Sequence, residues 1–205
     1  VQHRDELEAL VDTLKVAVAA LREREIPFML GGSLAAWARG GPEPQKDIDL
    51  MIRPEHAEPA LTALIDAGMR AERPPEDWLL KAFRDDVLID LIFEPSGLEL
   101  TDEVFARAES IRVMALDTPV MAAEDMLVTM LCALDEHCLD YEALVAIARS
   151  LREQIHWSEL EARTRTSPYA KAFFTLVREL GIADPASPRR GAGASRVRVL
   201  RSPAD

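Results

Sequence analysis

Two aspartates spaced two apart, in the run Asp47-Ile48-Asp49-Leu50-Met51-Ile52, are the residues of this chain best placed to do chemistry. In an extended strand, residues i and i+2 point to the same face. Asp47 and Asp49 then face one way and Ile48 and Leu50 the other. Two carboxylates side by side repel each other unless a cation sits between them. Oxygen-only ligands select a hard ion, and Mg²⁺ is commonly held by one or two carboxylates together with substrate phosphates. A third carboxylate, Asp90, lies at the centre of the apolar run Val87-Leu-Ile-Asp90-Leu-Ile-Phe93. An unpaired charge there is costly, so Asp90 calls for a metal, a positive partner or a raised pKa. If the two strands are neighbours, three carboxylates converge. Such a cluster can hold two divalent ions, Mg²⁺ or alternatively Mn²⁺, and support in-line transfer at phosphorus.

The elements that must position these acids can be read around them. Phe28-Met29-Leu30 is a short apolar strand, and Gly31-Gly32-Ser33 is a turn that lets a ligand approach the backbone closely. Ser33 would open a short helix through Arg39. It would act there either as a helix cap or, with neighbouring amides, as a holder of a nucleotide's triphosphate. No Gly-Lys-Ser/Thr follows, so this is not a P-loop. Arg39 and Lys46 flank the following Gly/Pro-rich loop and are candidates to neutralise phosphate, or else surface charges. Residues 5–24 read as an amphipathic packing helix, with Leu7, Leu10, Val11, Leu14, Ala17, Val18 and Leu21 on one side. Pro54 to about Ala67 reads as another helix. Trp78–Phe83 and Val87–Phe93 form a hairpin around Arg84-Asp85-Asp86, with Lys81 expected to point outward from an edge strand, or alternatively at the acids.

The combination of Gly31-Gly32-Ser33, Asp47-x-Asp49 and a later strand aspartate, Asp90, resembles the polymerase-beta-like nucleotidyltransferase superfamily. That superfamily includes antibiotic nucleotidyltransferases and the AbiE/MenT-type toxin nucleotidyltransferases. The likeness covers roughly residues 25–95, with a weaker likeness to toxin-type helices over 119–182. It implies an α+β fold, a mixed sheet flanked by helices and followed by a C-terminal helical subdomain. It also implies an enzyme that moves NMP from an NTP to a hydroxyl. Asp47, Asp49 and Asp90 would be the catalytic metal ligands, and Gly31, Gly32, Ser33, Lys46 and Arg39 the nucleotide contacts. The acceptor expected first is RNA, a tRNA 3′ end, with an antitoxin protein as partner. An aminoglycoside-like antibiotic is the alternative, and a non-catalytic nucleotide-binding protein the second. The toxin-type relatives carry a phosphate-contacting lysine where this chain has Met130. Asp140 matches a family aspartate near the site and would equally serve as a helix N-cap.

Composition bounds these readings. The 205 residues carry a formal net charge of −12, which suits a cationic acceptor or basic partner better than broad nucleic-acid binding. Cys132 and Cys138 lack the spacing of a zinc site, and His3, His56, His137 and His156 are scattered. The absence of HExxH or GxSxG gives no support to hydrolysis by a side-chain nucleophile. No signal-peptide or membrane-spanning pattern is visible, and a cytoplasmic protein with reduced thiols is expected. The chain divides into a core at 1–117, a helical subdomain at 118–183 and a tail at 184–205 that carries five arginines and is expected to be mobile. The helices expected after the core run from Ala123 to Glu136, Asp140 to Leu151, Trp157 to Thr164 and Tyr169 to Leu180.

Overall fold

The computed structural model describes residues 2–44, 47–113 and 115–183. The tail beyond residue 183 and Lys46 therefore lie outside the described residues. Strands β1 (Phe28–Leu30), β2 (Asp47–Ile52), β3 (Arg70–Glu72), β4 (Leu79–Arg84), β5 (Val87–Ile92), β6 (Glu109–Val113) and β7 (Leu116–Val120) form one mixed sheet in the order β3-β4-β5-β2-β1-β7-β6. Around it lie α1 (Gln2–Glu23), α2 (Gly32–Ala38), α3 (Ala57–Asp66) and α4 (Asp102–Ala106). The C-terminal helices are α5 (Ala123–Cys132), α6 (Tyr141–Leu151), α7 (Trp157–Thr164) and α8 (Pro168–Glu179).

Alternation along the strands decides which face is covered. Ile48, Leu50, Ile89 and Leu91 are fully buried, and α1 packs on β2 and β5 while α3 packs on β5. The intervening positions Asp47, Asp49, Leu88, Asp90 and Ile92 are only partly buried. The apolar stripe of α1 behaves as its period requires: Leu10, Leu14, Ala17, Val18 and Leu21 all enter the core. Glu25 then takes a left-handed conformation (φ 55°), and the Ile26 N–H donates to the Leu21 carbonyl at 2.9 Å, which turns the chain into β1.

Two strands escape the sequence pattern. β3 has three residues, two of them charged, so no alternation marks it. It covers β4, which is consequently not an edge strand. β7 contains Pro119, which reads as a break before a helix. It is tolerated because β7 meets β1 only at Leu30↔Val120, so most of that side needs no N–H donor. The expected division at 117/118 falls inside this strand, and the purely helical part begins after Val120. The helix expected over 123–136 stops at Cys132, and the remaining C-terminal helices lie within a residue of their expected bounds.

Candidate active site

The acids meet because of register. β2 and β5 are parallel, and Asp49 is paired with Asp90. Same-face residues on adjacent strands stand side by side. Asp47, Asp49 and Asp90 each offer a carboxylate oxygen, and these atoms all lie within 4.8 Å of one another. One of the oxygens, Asp47 Oδ1, is buried and has no hydrogen-bond partner. An orphaned buried acceptor of this kind carries a large desolvation cost and fits a site made for a cation. All the donors are hard oxygens, as Mg²⁺ and Mn²⁺ require.

The Gly-Gly turn closes one side of the cluster. The Gly31 N–H donates to the Asp49 carbonyl at 2.9 Å, extending the β1–β2 pairing by one residue. Gly32 has φ 54°, and a Cβ there would stand 1.7 Å from Asp49 Oδ2. Only glycine allows both that conformation and that approach. Ser33 follows in the first turn of α2 and is half-buried.

Lys81 completes the row. Antiparallel pairing of β4 with β5 places Lys81 opposite Asp90, and Lys81 Nζ donates to Asp90 Oδ1 at 2.9 Å. The expectation that Lys81 points outward from an edge strand is therefore corrected: β3 supplies the edge, and the lysine faces the acids.

Other candidates go elsewhere. Arg39 Nε donates to the Met121 carbonyl at 2.6 Å, Nη2 to the Val120 carbonyl at 3.3 Å, and Nη1 pairs with Glu109 at 3.1 Å. With its side chain only 4% exposed, Arg39 pins α2 to the end of β7 instead of offering charge to phosphate. Asp140 caps α6, accepting from the Ala143 N–H at 3.1 Å, as one of its two readings required. Met130 is half-buried in α5 against the core. Sequence reasoning overlooked a second buried acid, Asp125 in the first turn of α5. It is held by Arg107 through two bonds of 2.9 and 3.0 Å and by Arg163 at 2.5 Å. Its three partners in sequence, Ala123, Glu124 and Met126, gave no sign of this, since an acid at a helix start is ordinary.

A family model described as "Uncharacterised nucleotidyltransferase" matches residues 2–179. The chain belongs to this nucleotidyltransferase family. Comparison with curated proteins gave no match. Among solved structures, the nucleotidyltransferase resembles the solution structure of the antibiotic-resistance factor ANT(2″)-Ia. That match has a TM-score of 0.56 at 18% identity and covers 85% of this chain and 98% of the other. A crystal structure of ANT(2″)-Ia in complex with adenylyl-2″-tobramycin gives 0.58 at 17% identity, covering 80% and 98%. A lincomycin-bound lincosamide adenylyltransferase, LnuA, gives 0.47 at 13% identity, covering 66% and 92%. The first two establish a shared fold. No helix among the described residues is long and apolar enough to cross a membrane.

Electrostatics of the nucleotidyltransferase cluster give a pH prediction. Burial, then the charges of Asp47 and Asp90, push Asp49 up from 3.8 to about 7, with Lys81 partly opposing. Burial also raises Asp90, while its bond to Lys81 opposes. A carboxyl whose pKa is higher folded than unfolded favours folding at low pH, and that contribution is lost as pH rises from about 4 to about 7. In metal-free protein, the melting temperature of wild type relative to Asp49→Asn should therefore fall across this interval, and excess Mg²⁺ should reverse the fall at pH 7.5. Thermal denaturation of both proteins from pH 4.5 to 8 checks this. A wild-type melting temperature that stays level or rises relative to Asp49→Asn as pH increases would contradict the assignment.

Proposed function

We propose that this nucleotidyltransferase is metal-dependent and moves an NMP group from an NTP to a hydroxyl of a small cationic acceptor of the aminoglycoside type. The observation that carries the chemistry is the convergence of Asp47, Asp49 and Asp90 beside the Gly31-Gly32 turn, with a buried Asp47 oxygen left unpartnered. Asp47 and Asp49, with Asp90 on the adjoining strand, would hold divalent cation. When bound, such ions neutralise phosphate charge and stabilise the oxygens entering and leaving phosphorus. The chain's own residues position the reactants. Gly32 lets the backbone turn lie directly against Asp49, and Ser33 follows it in the first turn of α2. The acceptor oxygen bonds to the α-phosphorus as the bond from that phosphorus to the bridging oxygen breaks. Pyrophosphate departs, and the hydroxyl proton passes to Asp90, the carboxylate on the adjoining strand. Holding the reacting groups in line supplies much of the rate.

The acceptor class is argued from charge. A net charge of −12 attracts polycations and repels polyanions, so an amine-rich small molecule is favoured over RNA. The neighbour ANT(2″)-Ia, bound to adenylyl-2″-tobramycin, has an acceptor of that kind. Nothing on the described residues favours the tRNA acceptor or an antitoxin partner. Incubating the protein with α-labelled NTPs, Mg²⁺ and either an aminoglycoside panel or total tRNA tests the reading. Label on an aminoglycoside is expected. Label on RNA alone would overturn the acceptor class, and label on neither would exclude both.

A further inference from the structure

We propose that Lys81 is a built-in cation of the metal site: its ammonium holds the place of one divalent ion at Asp90, so that the resting enzyme takes up a single ion between Asp47 and Asp49. The inference rests on the proposed metal-dependent reading of the cluster and adds what sets the number and order of ions in it.

The argument starts from the row Asp49–Asp90–Lys81 across three neighbouring strands. Two of the three acids differ in what they already have. Asp90 has a direct charged partner, Lys81 Nζ at 2.9 Å, in a setting where the two side chains are 16% and 24% exposed. Asp47 has a buried oxygen with nothing bonded to it. The demand for an outside cation is therefore greatest at the Asp47 end and least at the Asp90 end. Charge count agrees. Three carboxylates balanced by one ammonium leave two negative charges, which one divalent ion neutralises. A second divalent ion must meet the repulsion of Lys81 at short range or displace it from Asp90. Repulsion of that kind, between charges a few ångströms apart in a partly buried site, weakens binding by well over tenfold. Lys81 is fixed there by backbone: the β4–β5 ladder runs unbroken from Leu79↔Ile92 to Arg84↔Val87, and β3 backs it through Glu72↔Lys81. A triphosphate, bringing both negative charge and its own ion, would be the natural trigger for Lys81 to leave Asp90. Lys81 is in this sense a positioning residue that makes the second ion dependent on nucleotide.

Manganese binding without nucleotide tests this by counting ions, followed by electron paramagnetic resonance and isothermal titration calorimetry on the whole chain at pH 7.5. Wild type should bind one Mn²⁺. Lys81→Met should bind a second with affinity at least about tenfold above any second site of wild type, and Lys81→Arg, which keeps the charge, should behave as wild type. Circular dichroism confirms that the variants are folded. Two equal Mn²⁺ sites in wild type, or identical titrations for wild type and Lys81→Met, would overturn the Lys81 proposal and leave the metal reading standing. Failure of all three proteins to bind Mn²⁺ at millimolar concentration would overturn both. A merely structural lysine would lower stability in Lys81→Met without creating an ion site.

Discussion

Replacing Asp49 by asparagine should lower nucleotidyl transfer by roughly a thousandfold or more, about 4 kcal/mol of barrier, while leaving a protein that melts at a higher temperature than wild type when both are metal-free at pH 8. The two effects share one cause. Asp49 sits between Asp47 on its own strand and Asp90 on the next, and its ionised form is opposed by burial and by both neighbours. The wild-type chain keeps that unfavourable charge, and asparagine has nearly the same shape without it. The fold gains what the site loses. On the proposed metal reading, excess Mg²⁺ should reverse the order of stability, since an ion held by the wild-type cluster would bind the variant poorly. Transfer assays at saturating NTP together with melting curves with and without Mg²⁺ decide the matter. Transfer near the wild-type rate would remove Asp49 from the reacting centre. A variant less stable than wild type in the absence of metal would remove the claim that the acids repel one another.

Much of this site could be read from local sequence because it depends on period two. Asp47 and Asp49 share a face in any strand, and Asp90 is conspicuous inside an apolar run. That β2 and β5 are neighbours, in the register that sets Asp49 against Asp90, is a tertiary fact. Likeness to a known superfamily supplied it as an expectation, and local pattern alone could not. Lys81 is instructive because the second of its two readings, facing the acids, is the one the structure has. With Asp85 and Asp86 forming a two-residue turn, counting back equally from Arg84 and Val87 sets Lys81 opposite Asp90. The information was in the sequence, but the default that lysines guard edges hid it, and the three-residue β3 that takes over the edge carries no pattern. Arg39 erred the other way. Its position beside a phosphate-like turn suggested a ligand, whereas the carbonyls it meets, Val120 and Met121, come from a segment about eighty residues later. Such pairings are invisible to spacing.

Asp125 should respond to substitution in the opposite sense from Asp49. Its side chain is 1% exposed, yet both oxygens are used: Oδ2 by Arg107 Nε, Oδ1 by Arg107 Nη2 and Arg163 Nη2. The bidentate fork from Arg107 uses both oxygens, and an acid suits the first turn of α5. Arg107 directly follows α4 and Arg163 lies in the last turn of α7, so the carboxylate ties three helices at one point. Asp125→Ala removes the carboxylate the two arginines share, leaving Arg163 only the more distant Glu159 at 3.8 Å. Because Arg107 is 46% exposed and can be rehydrated, the loss is that of charge-assisted hydrogen bonds, about 1.5–3 kcal/mol, which for a domain near this size is a fall in melting temperature of roughly 3–12 °C. Asp125→Asn, which keeps one acceptor oxygen, should fall between alanine and wild type. Thermal and urea denaturation of the three proteins measure the order, and a loss in Asp125→Ala within about 2 °C of wild type would show that the arginines find water or other partners at no cost. The comparison separates two kinds of buried carboxylate. Asp125 is satisfied by the chain itself and its removal loosens the fold. Asp49 is opposed by burial and by its two acidic neighbours, and on the proposed reading its partner is a cation from outside.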